Sequence, residues 1–378
     1  MKLNAGVSTV GWGVFCACSW TWCIGMFLPV VMLGRFGWPG FLVFAIPNVI
    51  GCAAFGYVVA QRDRSVELVR SHTLAMRLFS LATIAYHVFF IGFMSWMLLP
   101  LPDEYAPWIA AAAPPALLSV AILLSRLPLR AWPIFAVLVY AGSLWVFNRI
   151  GMEPLYEIAW SGTDTPGELA WLAVPITFGF LLCPYLDLTF HRALQTSPSR
   201  HAFAVFGITF AVMIVLTCTY WDVLKTGLIW IIVAHIASQS IFTMSAHVRE
   251  LRLARETSGN IGWFEDFLPL LALPLAFAGA FSLDALAGSV DVYIRFLVLY
   301  GLLFPAYVLI FMRHRGAIRT RARLMLYVIA MLALMPLYEL GFLHGRAWLA
   351  AGGVVILIVT TLLMHMKTLH TIESARAA

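Results

Sequence analysis

Long apolar runs separated by short polar turns repeat from one end of the chain to the other. They recur near 9–31, 40–60, 77–100, 108–126, 131–148, 168–190, 202–220, 227–246, 267–287, 292–312, 324–342 and 347–366. Each is about 17 to 25 residues long, the length that crosses roughly 30 Å of hydrocarbon as an α-helix. The pattern predicts an all-α integral membrane fold of about 12 transmembrane helices. The fourth and fifth runs are short and joined by Leu127 to Arg130, which suggests a broken or tilted pair. Two connections exceed a turn. Residues 149–167 read as a short surface helix or lid, and 247–266 as an amphipathic basic stretch covering a lipid-facing surface.

Composition narrows this further. Of 378 residues, 62% are hydrophobic and 11% charged, against roughly 25% charged in a soluble domain. So few charges cannot coat a water-soluble protein of this size, and the apolar runs leave no room for a large extramembrane domain. Residues 1–378 therefore form one polytopic membrane domain. The net charge of +6 reflects orientation rather than nucleic-acid binding. With the N-terminus inside, the predicted inner segments hold nineteen of the 24 Lys and Arg residues. The outer segments hold five: Arg35, Arg149, Lys225, Arg295 and Arg346. Positive-inside bias then predicts a cell (inner) membrane protein with both termini cytoplasmic. Met1 to Gly6 shows no cleavable leader pattern. Trp38, Trp108, Trp160, Trp171 and Trp348 fall near span ends, as an aromatic belt does. Cys16, Cys18, Cys23, Cys52, Cys183 and Cys218 all lie in apolar runs and read as packing residues.

Charged groups at membrane depth are rare enough to single out. Asp187 follows Pro184 in the sixth run, within Cys183-Pro184-Tyr185-Leu186-Asp187. A proline there frees backbone groups that only protein or a wet cavity can tolerate. Asp187 thus reads as a proton acceptor or ion ligand, or else as a partner of Arg192. The first run is interrupted too, by Gly25 and Pro29 among aromatics, with Ser19, Trp20, Thr21 and Trp22 offering polar and aromatic contacts. Two interrupted spans five apart point to an inverted repeat with a site at its interface. In the eighth run His235, Ser238 and Gln239 share a helical face that Thr243 continues. His87 and His235 open a further reading, a haem or redox pair. No Walker A, HExxH or GxSxG pattern is present. The chain therefore reads as a non-enzyme without metal or cofactor.

Three stretches at these residues resemble the sodium/solute symporter family, within the wider amino acid–polyamine–organocation superfamily. They are Trp20 to Tyr57 with Gly34-Arg35-Phe36-Gly37, then Gly179 to Phe206 with Arg192-Ala193-Leu194, and Ile236 to Met244. The resemblance implies a LeuT-like five-plus-five inverted repeat, 9–148 and 168–312, with two added helices over 324–366. It also implies that spans one, three, six and eight line a solute site. Ser19, Trp20, Thr21, Trp22, Gly25, His87, Tyr185, His235, Ser238 and Gln239 are then the substrate-binding candidates, and Asp187 and His235 the coupling groups. The family's sodium-ligating hydroxyls fall near Trp230 and Ile231, whose side chains cannot ligate. That leaves proton coupling, uniport or a fold reused without transport. The leading expectation is a permease moving a small organic solute by alternating access. The alternative is a non-transporting subunit or sensor. It would dock a partner protein or anionic lipid through Arg313, Arg315, Arg319, Arg321 and Arg323.

Overall fold

The computed structural model describes residues 4–98, 104–222, 227–258, 290–312 and 321–377. The expected span 267–287 and the basic residues Arg313, Arg315 and Arg319 lie outside them. In chain order the helices are α1 (Ala5–Trp20), α2 (Cys23–Val58), α3 (Arg62–Leu98), α4 (Ala106–Leu124), α5 (Trp132–Ile150) and the single turn α6 (Glu153–Tyr156). They continue as α7 (Pro166–Leu182), α8 (Leu188–Thr196), α9 (Ala202–Cys218) and α10 (Ile229–Ser258). The last are α11 (Val290–Met312, partly π-helical), α12 (Arg321–Leu343) and α13 (Ala347–Ala377). No strand occurs among the described residues, and nine of their helices are long and apolar enough to cross a membrane.

The outward surface explains why. Leu123, Leu138, Ile208 and Leu332 are 63%, 65%, 70% and 71% exposed. Large side chains this bare, on four separate helices, need lipid rather than water around them. Trp108, Trp160, Trp171 and Trp348 are exposed as well, in keeping with a belt at the membrane surfaces. The architecture is that of a multi-pass α-helical membrane protein.

Helix α2 is a hairpin in disguise. A straight helix would hold Asn48 roughly 40 Å from Cys23. Yet the Trp20 indole donates to Asn48 Oδ1 at 2.8 Å. The reversal comes at Gly37, whose φ of 65° and ψ of −155° break the helix. A Cβ there would also lie 2.3 Å from the Trp160 carbonyl oxygen. Cys23 to Phe36 thus continues the path begun in α1, and the remainder returns.

The packing has a clear order. Helix α1 packs on α5 and α9, α2 on α7 and α9, and α3 on α4, α8 and α10. Helix α10 packs on α4 and α5, α7 on α11 and α13, and α12 on α13. Small residues allow the closest approaches. A Cβ on Gly13 would sit 2.6 Å from the Ala202 carbonyl oxygen, and one on Gly56 2.2 Å from the Phe203 ring. Without a hydrophobic drive between helices in lipid, such backbone proximity is what dispersion forces need.

Several expectations shift. Helix α3 begins at Arg62, so the expected loop before residue 77 is helical, and Arg77 is only 2% exposed. The runs 108–126 and 131–148 are two ordinary helices joined by a turn containing a 3₁₀ segment, Leu129–Ala131. Residues 247–258 continue α10 rather than forming a surface loop, and His247, Arg249 and Glu250 are buried. The amphipathic pattern there packs polar groups against α3 and α8 instead of covering lipid.

Candidate functional site

Two helix breaks meet inside the bundle. The first is at Thr21 and Trp22, where ψ values of 69° and 176° leave the α region. It comes earlier than Gly25 and Pro29, which are helical. Two indoles flank a β-branched Thr here, and the Trp22 Nε1 donates to the Ser19 carbonyl at 2.5 Å, taking a freed acceptor. The second break is a 3₁₀ turn, Cys183–Leu186, started by Pro184 and ended by extended Asp187. Asp187 Oδ1 accepts from the Thr189 backbone N–H at 2.7 Å, an N-cap of α8. Its Oδ2 is buried with no partner among the described residues. Thr189 Oγ1 donates to Ser19 Oγ at 3.1 Å, and the Trp20 and Phe190 rings lie 4.9 Å apart, so the two breaks touch.

A cleft ends on these breaks and holds about 820 Å³ of empty space, its open side included. Trp20, Trp22 and Tyr300 give it an aromatic face, with Trp20 and Trp22 4.3 Å apart and Trp22 and Tyr300 5.2 Å apart. The walls come from Leu28 and Met32 of α2, Pro175 and Ile176 of α7, and Ile294 and Leu297 of α11. Arg35 also lines it. The Arg35 Nε donates to Asp164 at 2.7 Å and its Nη1 to the Phe342 carbonyl at 3.3 Å. Those bonds fasten the 157–165 loop and α12 to α2. The apolar floor is sealed by ring on ring: Phe190 contacts Phe55, Phe203 and Phe206 at 5.8, 5.5 and 5.2 Å.

Of the candidate residues, Trp20, Trp22 and Gly25 line this cleft. Ser19 and Thr21 are buried in the first break, Thr21 Oγ1 donating back to the Ala17 carbonyl at 2.7 Å. His87 sits behind the break. Its Nδ1–H donates to the Thr83 carbonyl at 2.8 Å, so Nε2 accepts from the Cys23 N–H at 3.3 Å and caps α2. Tyr185 packs edge-on against Phe55 and does not line the cleft.

His235 and Gln239 are brought together, but against α5. Gln239 Nε2 donates to Ser143 Oγ at 2.8 Å, and Ser143 Oγ donates to the Val139 carbonyl. With the serine proton so used, His235 Nε2–H donates to Ser143 Oγ, leaving Nδ1 to accept from Tyr220. Ser238 bonds its own helix at the His235 carbonyl. The shared face brings His235 and Gln239 onto Ser143, while the Ser238 hydroxyl stays bonded to its own helix. Both ring nitrogens of His87 and of His235 are engaged with protein, which removes the support for a haem pair.

Asp187 does not pair with Arg192. Arg192 instead makes a two-pronged ion pair with Glu250 of α10, Nη2 to Oε2 at 2.9 Å, and Arg249 adds a contact to the same carboxylate at 2.5 Å. A second arrangement escaped the sequence reading. His191 Nε2 donates to the Tyr185 carbonyl at 3.0 Å, and its Nδ1 accepts from Ser65, which accepts in turn from Gln195. This clips the second break to the start of α3. Asn48 was also missed; a lone amide in the run Phe41 to Phe55, beside Pro47, was its signal.

The Ala17 to Trp20 carbonyls at the first break all have protein donors: Thr21 takes Ala17, Thr243 Oγ1 takes Cys18, the Trp22 indole takes Ser19 and the Trp22 N–H takes Trp20. Trp230 is 56% exposed and turns outward.

No model of a known protein family matches this chain, and no curated protein matches it in sequence.

Proposed function

We propose that the protein is a secondary transporter or transporter-like permease that moves a small organic solute by alternating access. The observation that carries this reading is the meeting of two broken helices at the closed end of an apolar cleft. Broken spans that meet in this way are how many secondary transporters hold solute.

The packing adds support. Take span one as α1 with Cys23 to Phe36, span six as α7 with α8, and 267–287 as span nine. Spans one and five then pack as six and ten do, through α1 on α5 and α7 on α11. Spans one and seven pack as six and two do. The α10–α5 contact at Ser143 has its counterpart in α3–α11, where Tyr86 donates to the Tyr293 carbonyl and Thr83 meets Tyr300. A shift of five spans reverses direction, which is the signature of an inverted repeat. On this reading the fold has twelve spans, 324–366 supplying the last two. The cleft opens on the outer side, and both termini lie in the cytoplasm of a cell (inner) membrane protein.

Proton coupling fits better than sodium coupling. Asp187 keeps one carboxylate oxygen unpartnered among the described residues, while the Ala17, Cys18, Ser19 and Trp20 carbonyls at the first break are occupied by protein donors. That same occupation favours, as second reading, a subunit or sensor that keeps the fold without transport.

The test is accessibility in liposomes. All six cysteines are buried, so they can be replaced and single thiols introduced. Met32→Cys on the cleft wall should react with an impermeant maleimide from one side only. A solute that stabilises the protein against heat should protect it. Leu194→Cys, under the floor, should become reactive from the opposite side as that solute turns over. Stabilising solutes that never change either reactivity would move the reading to the sensor.

A further inference from the structure

The cleft's polar inventory is short enough to name what it takes. Arg35 is the one charged side chain lining it among the described residues, and its guanidinium is already committed to Asp164 and the Phe342 carbonyl. An ion entering the cleft would shed its water and meet no countercharge. The other polar groups are engaged too. The Trp22 indole donates to the Ser19 carbonyl, and Tyr300 shares its hydroxyl with Thr83. The Tyr300 carbonyl accepts from the Cys183 thiol, and the Gly301 carbonyl from the Tyr338 hydroxyl.

Asn48 is the exception. It is 1% exposed and lines the cleft. An indole N–H only donates, so the Trp20 bond at 2.8 Å fixes the amide oxygen toward Trp20. The Cys52 thiol lies 3.5 Å from the same oxygen and 3.5 Å from the Phe180 carbonyl, with one proton to give. The amide NH2 is therefore turned away from Trp20, and it finds no acceptor among the described residues. An amide donor left over on the wall of an otherwise satisfied apolar cleft calls for an acceptor from a ligand.

We propose that the cleft binds an uncharged, largely apolar ring compound bearing a hydrogen-bond acceptor of the carbonyl class. Asn48 donates to that acceptor while Trp20, Trp22 and Tyr300 stack on the ring. This rests on the cleft being the solute site argued above.

Four probes of matched shape test it: acetophenone, ethylbenzene, benzoate and benzylammonium. Retention by purified protein is read by equilibrium dialysis against protein-free micelles of the same detergent. Acetophenone should be retained about five- to tenfold better than ethylbenzene, the worth of one buried hydrogen bond. The two ions should not be retained above the micelle background. Asn48→Leu should bring acetophenone down to the level of ethylbenzene. The double variant Trp20→Phe/Asn48→Leu should do the same while leaving no indole unpaired, which separates loss of the donor from misfolding. Three results would overturn the proposal. They are retention of either ion at the level of acetophenone, a ratio unchanged in both variants, or no retention of any probe by protein that unfolds at the normal temperature. Benzoate or benzylammonium transported by the same protein in liposomes would sink this substrate class and leave the permease reading standing. Asn48-dependent retention of acetophenone with one-sided, unchanging cleft accessibility would do the reverse.

Discussion

Glu250 holds the lower end of the second broken span, and its removal should be felt there first. The carboxylate accepts from Arg192 Nε at 3.1 Å and Nη2 at 2.9 Å, and from Arg249 Nη1 at 2.5 Å. Side-chain exposure is 4% for Glu250, 9% for Arg249 and 26% for Arg192. Breaking a buried pair by removing one partner costs about 3–5 kcal/mol, because the other charge stays buried. Arg192 is partly solvated, so screening trims the expected cost of Glu250→Gln to about 2–3 kcal/mol. Part of that is the stranded arginine rather than the pair. A double-mutant cycle with Arg192→Gln isolates the pair, and its coupling should be about 2 kcal/mol. Reversible SDS unfolding in micelles measures each corner. A coupling below about 0.5 kcal/mol, the level of an ordinary surface pair, would refute the view that this pair locks α8 to α10. If the lock belongs to one state of a transport cycle, Glu250→Gln should also raise thiol labelling at Leu194→Cys.

Three further outcomes follow from the geometry. Asp187→Asn keeps a side-chain acceptor for the Thr189 N–H, so stability should hold within about 0.5 kcal/mol, whereas Asp187→Leu should lose about 1 kcal/mol with the cap; any pH dependence of labelling at Met32→Cys should vanish in both. Gly56→Ala places a methyl 2.2 Å from the buried Phe203 ring, so SDS unfolding should report a loss of about 1–3 kcal/mol, and a neutral result would mean α2 and α9 are not held that close. Thermal unfolding of the wild-type protein should be indifferent to replacing potassium by sodium, since Thr243 already donates to the Cys18 carbonyl; a sodium-specific rise in Tm would reopen sodium coupling.

Much of the architecture follows from the chain alone. Apolar runs of membrane length, few charges and scattered prolines dictate helices in lipid, because backbone groups there must bond within their own segment. Pro184 announced the second break, since it has no N–H to give the helix ladder. Asp187 stood out because an acid at that depth is costly. Other features were decided only when helices met. Gly25 and Pro29 looked like the first interruption, but packing placed it at Thr21 and Trp22, where Ser19 and His87 supply partners. The turn at Gly37 falls in the gap expected between the first two apolar runs, but its seat against the 157–165 loop was decided only by packing. His235 and Gln239 share a face by helical period, yet period does not say which neighbour that face meets; Ser143 of α5 did. Asn48 does not stand out in the sequence. Only its bond to Trp20, which commits the oxygen and frees the NH2, turns it toward the cleft. Periodicity is a local property of the backbone and is written in the order of residues. Which donor goes unpaired depends on everything packed around it, and that is settled only by the assembled bundle.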